Sequence, residues 1–194
     1  MNRVTAPLIL ASASPRRLQL LDQIGIVPAQ VIPAEVDETP LPKELPAQQA
    51  KRVAVDKAEA IAQDHPNSFI LAADTVVGCG RRILPKAESE AEARKFLTLL
   101  SGRRHRVYGG VCLIAPNGRR SVKVVQTAVV FKPLSKGEID AYIAGDEWRD
   151  KAGAYAIQGK AAVFVRQVVG SYSNVVGLPL FETNAMLRGL GYDD

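Results

Sequence analysis

Residues 8–17 read LILASASPRR. The apolar run suits a strand buried on both faces, and the hydroxyls of Ser12 and Ser14 end it. Ser14 is a good helix N-cap and Pro15 fits the first helical position. The stretch therefore predicts a strand over 7–11, a hydroxyl-rich loop, and a helix over 15–24 stopped by Gly25. Free backbone N–H groups at a helix start attract anions, and Arg16 and Arg17 add fork-shaped donors that suit phosphate oxygens. The loop is not a Walker A cradle, because GxxxxGK[ST] is absent. Taken alone, the stretch fits a capped helix with two exposed arginines slightly better than a phosphate site.

Outward from this unit, strand-like runs fall at 68–77, 105–115, 121–132 and 161–169. Helical patterns fall at 46–63, 89–100, 135–144 and 179–189. Asn117-Gly118 is a hairpin turn signal between two of the strands, and Ser135 with Glu138 forms a capping box. Pro28 to Pro46 is proline-rich and carries Glu35, Asp37 and Glu38; it reads as an extended, ordered loop with interrupted strand. Hairpin-paired strands interspersed with helices predict an α/β fold with a mixed, twisted sheet and flanking helices.

The chain has 194 residues, 47% apolar and 23% charged, the balance of a globular protein that can bury a full core. Residues 1–194 read as a single domain. Runs such as FILAA and AAVFV are too short to cross a bilayer, and MNRVTAP lacks the layout of a signal peptide. A cytoplasmic location without a membrane partner is expected. Cys79 and Cys112 lie outside any CxxC, and His65 and His105 are the sole histidines, which argues against a disulfide framework, a thiolate zinc site or a His cluster. A metal, if used, would be a hard cation on oxygen ligands. The net charge of +5 suits an anionic partner. The basic residues come in scattered pairs rather than in a run interleaved with aromatics, so no specific nucleic-acid partner is expected.

Charges interrupt the apolar pattern at three places. SFILAADTVV sets Asp74 inside an apolar strand with Thr75 beside it, and a buried carboxylate needs a cation, a metal or hydrogen-bond donors. In PAQQAKRVAVDKAEAIAQ, Lys57 lies on or beside the stripe of Ala50, Ala54, Ala58 and Ile61. It can snorkel to water or point into a cleft. GCGRRILPKAES reads as a turn and a short return strand, which brings Lys86 back near the level of Asp74. DKAGAYAIQG adds Asp150, Lys151 and Gln158, and Gln158 could read a base edge.

Together, LASASPRR, VDET, Lys57-Ala58, ADTVV, LSG, DKAGAYAIQG and GSYSNVVGLPL resemble the Maf family of nucleoside triphosphate pyrophosphatases, in one order over roughly residues 8 to 182. The resemblance implies an ITPase-like (Maf/Ham1) fold with two lobes around a central cleft. It implies hydrolysis of a nucleoside triphosphate between the α and β phosphates, with a divalent cation (Mg2+, Mn2+ or Co2+) as cofactor. By the same resemblance, Asp74 matches the family's proton acceptor. Ser12, Arg16, Arg17, Glu38, Lys57, Lys86 and Gln158 match its phosphate, metal and base site, with Glu38 and Asp74 on the metal. SPRR, ADT with Thr75, and AYAIQG look like the branch acting on dTTP and UTP. A homodimer is a further family-level expectation. Two departures stand out: Pro85-Lys86-Ala87 replaces the usual Gly-Lys-Pro, and Gly109-Gly110 replaces a frequent Thr-Gly.

In the mechanism expected from these assignments, Asp74 orients or deprotonates water, the basic residues neutralise the polyphosphate, and Thr75 and Gln158 read the pyrimidine. Two other readings stay open: a broader pyrophosphatase accepting CTP or modified pyrimidines, and a non-enzymatic polyanion-binding division regulator.

Overall fold

The computed structural model describes residues 6–192. In chain order the elements are β1 (Leu8–Ala11), α1 (Pro15–Gln23), β2 (Gln30–Val31), α2 (Pro46–Ala62), β3 (Phe69–Cys79), β4 (Arg82–Leu84), α3 (Glu90–Leu100), β5 (Arg104–Ile114), β6 (Arg120–Phe131), α4 (Lys136–Ala144), β7 (Val165–Val169), α5 (Tyr172–Val176) and α6 (Leu180–Leu190). The strands form one mixed seven-stranded sheet in the order β2-β1-β3-β5-β6-β7, with β4 also paired to β3. β1 runs parallel to β2 and β3, and the remaining pairings are antiparallel. No described helix is long and apolar enough to cross a membrane.

The register of β3 creates the site. β5 covers one edge of β3 from Ile70 to Gly78. On the other edge, β1 pairs with Phe69–Ala72 and β4 pairs with Val77–Cys79. The span 73–76 thus has no strand along that edge, and Asp74 and Thr75 sit in the gap. Because successive side chains alternate across a sheet, these two residues serve opposite faces.

The cores on either side of the gap differ in construction. On one face, the small residues Ala54 and Ala58 of α2 pack with Ile9, Ala11, Ile70, Ala72 and Cys112. Small residues let the helix come close, and Gly110 of β5 completes the approach: a Cβ there would lie 1.8 Å from the Ala50 carbonyl oxygen. On the other face, Leu20 and Leu21 of α1 and Met186 and Leu187 of α6 cover Leu8, Leu10, Leu71 and Leu113. Beyond the gap, a third cluster gathers Val77, Leu84, Leu97, Val107, Phe131, Trp148, Tyr155 and Phe164 under α3 and α4.

Most expected elements are present within a residue or two, and Gly118, at φ 77°, turns the β5–β6 hairpin. The expected strand over 161–169 is corrected: residues Lys160–Phe164 form a 3-10 helix and the strand begins at Val165. Ala161 and Phe164 are buried while Ala162 and Val163 are exposed, a period of three that a 3-10 turn satisfies and a strand does not. Ser14 is also corrected in part. It occupies the N-cap position of α1, but its side chain makes no capping bond. Its own N–H donates to Ser12 Oγ at 3.2 Å instead.

Candidate active site

A cleft of about 860 Å3 opens along the β3 gap. Its lining includes Ser12, Arg16, Arg17, Glu38, Lys57, Asp74, Thr75, Lys86 and Gln158, so the structure brings every sequence-predicted site residue to one hollow.

Asp74 and Lys57 form its floor. Lys57 lies on the buried stripe of α2, three residues after Ala54, and points into the cleft rather than snorkelling out. Its Nζ donates to Asp74 Oδ1 at 3.0 Å, and the two side chains keep 9% and 10% of their exposure. The partner of Asp74 is thus Lys57, whereas Lys86, the lysine the sequence places near its level, pairs with Glu38 instead. Lys57 Nζ also meets Glu38 Oε1 at 2.6 Å, while Lys86 Nζ stands 3.7 Å from Glu38 Oε2 at the more open rim. Burial pushes the Glu38 carboxyl up, but the hydrogen bond and charge of Lys57, with Lys86 and Arg17 behind, hold it below the usual carboxylate range.

The two arginines behind β1 have different surroundings. Arg17 is buried and braces three segments: Nε donates to the Gly177 carbonyl at 2.9 Å, Nη1 to Ser12 Oγ at 2.9 Å and Nη2 to Thr75 Oγ1 at 3.2 Å. Arg16 is half-buried and has no hydrogen-bonded partner among the described residues; burial lowers its pKa, and the charge of Asp150 opposes that shift. One arginine ties the loop to the sheet, and the other offers its fork to the cleft.

The far wall comes from residues 150–158. Gly153 N–H donates to the Leu84 carbonyl at 2.9 Å, and Lys86 bridges to Ala152, so this loop is tied to the end of β4. Asp150 and Ala154 both hold positive φ, 55° and 59°, an uncommon conformation for residues with a Cβ. The buried ring of Tyr155 lines the cleft, and its hydroxyl shares a 2.8 Å hydrogen bond with His105 Nε2. Gln158 is exposed at the rim.

Sequence reading missed Gln49 and Asn174, and it noted Lys151 without giving it a role in the site. Gln49 lines the cleft and is buried, although it sits in a polar-looking QQ pair. Lys151 lines it too, with its pKa lowered by burial and by the nearby charge of Arg16. Asn174 lies behind the wall, donating to the carbonyls of Val107 and Val125 and to Thr127 Oγ1 at 3.0–3.2 Å. A Cβ at Gly109 would lie 1.9 Å from Asn174 Oδ1, which accounts for the glycine at that position.

Among the described residues, no group of three or more His, Cys, Asp and Glu gathers to hold a metal. Two carboxylates, Glu38 and Asp74, do converge on one ammonium group. A hard divalent cation is commonly held by one or two carboxylates plus substrate phosphates, and this pair fits that donor set.

A mixed sheet opened along one strand edge, with acids and bases converging on the opening, defines an α/β cleft protein built for a small anionic ligand. Residues 7–190 match the family described as Maf-like protein, and the chain belongs to that family. It is 64% identical over 187 residues to the dTTP/UTP pyrophosphatase of Paramagnetospirillum magneticum, covering 96% of this chain and 98% of that protein. It is 60% identical over 191 residues to the dTTP/UTP pyrophosphatase of Rhodospirillum rubrum, covering 98% and 91%. A solved HAM1 protein from Coxiella burnetii shares the fold at a TM-score of 0.52 and 16% identity, covering 95% of this chain and 99% of that one.

Proposed function

We propose that this chain hydrolyses dTTP and UTP at the α–β phosphoanhydride, releasing the nucleoside monophosphate and pyrophosphate. The observation that carries the reading is the buried Asp74–Lys57 pair in the β3 gap, joined by Glu38 from the open side and walled by Arg16 and Lys86. The named activity of the relatives supplies the substrate class.

Phosphoanhydride hydrolysis needs a positioned water and charge neutralisation, with no covalent side-chain nucleophile. Lys57 engages Oδ1 of Asp74, and Oδ2 has no hydrogen-bond partner among the described residues. Asp74 orients a water through that oxygen and takes its proton as the water oxygen bonds to phosphorus and the bridging oxygen leaves with pyrophosphate. Arg16, Lys86 and Lys151 neutralise the polyphosphate, and Arg17 keeps Ser12 and Thr75 in register beneath it. Glu38 and Asp74 would hold a divalent cation such as Mg2+ together with phosphate oxygens, and when bound it neutralises charge there. The cleft wall of Ile83, Leu84, Ala156 and Ile157 offers an apolar slot for the base, with Thr75 and Gln158 as its polar readers.

The test is turnover of a nucleotide panel by the wild type and Asp74→Asn. The expected result is preference for dTTP and UTP and a loss of at least ~10²-fold in the variant, the scale of a general acid–base group. A folded Asp74→Asn with wild-type turnover removes Asp74 from the chemistry.

A further inference from the structure

Glu38 lies on a segment without secondary structure, between β2 and α2, whose residues 38–43 are all exposed. Its neighbours do not bury it, so something else must hold it against Lys57. Three successive carbonyls of the segment are held from α2. Arg52 Nη1 donates to the Asp37 carbonyl at 3.3 Å, Gln49 Nε2 to the Glu38 carbonyl at 2.8 Å, and Arg52 Nη2 to the Thr39 carbonyl at 3.0 Å. Gln49 and Arg52 stand three residues apart, one turn of helix on a shared face.

The far end of the segment is held by the same guanidinium. Arg52 Nε and Nη2 grip Glu44 Oε1 and Oε2 at 2.8 and 3.0 Å, the two-pronged pairing that lysine cannot reproduce. Glu44 Oε2 also accepts the Leu41 N–H at 2.9 Å, closing the loop on itself. Gln49 Oε1 is meanwhile buried without a partner. An unpaired buried acceptor is destabilising, and a nonpolar side chain would avoid it. What the amide supplies in return is its other end, which fixes the backbone of Glu38.

We infer that Arg52, with Gln49, is a positioning residue that fixes Glu38 in the cleft by clamping residues 37–44 to α2. The inference rests on the role given to Glu38 above. Arg52 does not line the cleft, so its influence on turnover runs through the loop.

The test compares Arg52→Met, Glu38→Gln and the double variant by steady-state kinetics on dTTP, with hydrogen exchange of residues 37–44. Arg52→Met is expected to lower kcat by about 10- to 10²-fold, the scale of a misplaced group, with KM within about twofold. Exchange should rise across 37–44 and stay unchanged in β1 and β3. In the Glu38→Gln background, Arg52→Met should cost nothing further. Should Arg52→Met not fold, Glu44→Gln, which removes the charge and one acceptor oxygen from the fork's partner, is expected to give the same pattern at smaller size. Unchanged exchange, or an equal loss of kcat with and without Glu38, overturns the clamp. Wild-type turnover in Glu38→Gln alone overturns the role of Glu38, and the clamp's role in catalysis with it, even where exchange shows that the loop has been freed.

Discussion

Replacing Lys57 by Met tests the buried pair at the floor of the cleft. Methionine keeps most of the stem but leaves Asp74 with its Oδ1 partner gone and Glu38 facing it across the vacated point. Glu38 keeps 43% of its side-chain exposure and can turn to solvent, whereas Asp74 keeps 10% and sits within β3. The loss is therefore set by Asp74. Breaking a buried pair from one side costs about 3–5 kcal/mol, more than the net worth of the pair itself, because the remaining charge is stranded. For a chain of this length each kcal/mol moves Tm by about 2–4 °C, so a fall of about 6–20 °C is expected. Lys57→Met/Asp74→Asn should recover most of it, since no charge is then stranded. Equilibrium urea unfolding of the two single variants, the double variant and the wild type gives the coupling energy. A coupling of about 2 kcal/mol or more is expected, and one below about 0.5 kcal/mol would refute the buried pair.

The remaining predictions concern the groups around that pair. Arg16→Ala should raise KM with Tm nearly unchanged, while Arg17→Ala should lower Tm by several degrees, because Arg17 ties Ser12, Thr75 and Gly177 together; paired melting and kinetic curves decide. Burial depresses His105 from 6.5 to about 4, so the unfolded chain takes up this proton first as pH falls. Its stability contribution is complete above about pH 6.5 and declines toward pH 4, by about 2 kcal/mol at pH 5. His105→Gln should flatten that part of the urea stability profile between pH 7.5 and 5, and an unaltered slope would count against a buried neutral imidazole. Gly110→Ala must push α2 off the sheet, since the new methyl meets backbone at 1.8 Å, and should cost at least about 1–3 kcal/mol in chemical unfolding.

The strand–loop–helix unit at residues 8–17 was legible because each signal is local: an apolar run, a cap position and a proline at the first helical residue. Asp74 was legible for the opposite reason, as a charge that broke a local pattern. What a linear reading does not supply is register. That β1 and β4 leave 73–76 uncovered follows from pairings between distant residues, and so does the finding that Lys57 reaches Asp74. The 3-10 turn at Lys160–Phe164 escaped because Ala-Ala-Val-Phe-Val has strand composition, and its period of three shows only once burial is known. The five residues of α5 are too few for a helical period, although Ser171 caps them and Gly177 follows them. Gln49 and Arg52 carry no signal of their own in the sequence, since the loop that covers them has no pattern to match.

The function proposed for the β3 gap is cleavage of a nucleoside triphosphate between its first and second phosphates. Phosphorus-31 NMR of dTTP incubated with the protein and Mg2+ reads the bond directly. Equal amounts of dTMP and pyrophosphate, with no orthophosphate at early times, are predicted. Orthophosphate and a nucleoside diphosphate as first products would contradict the account.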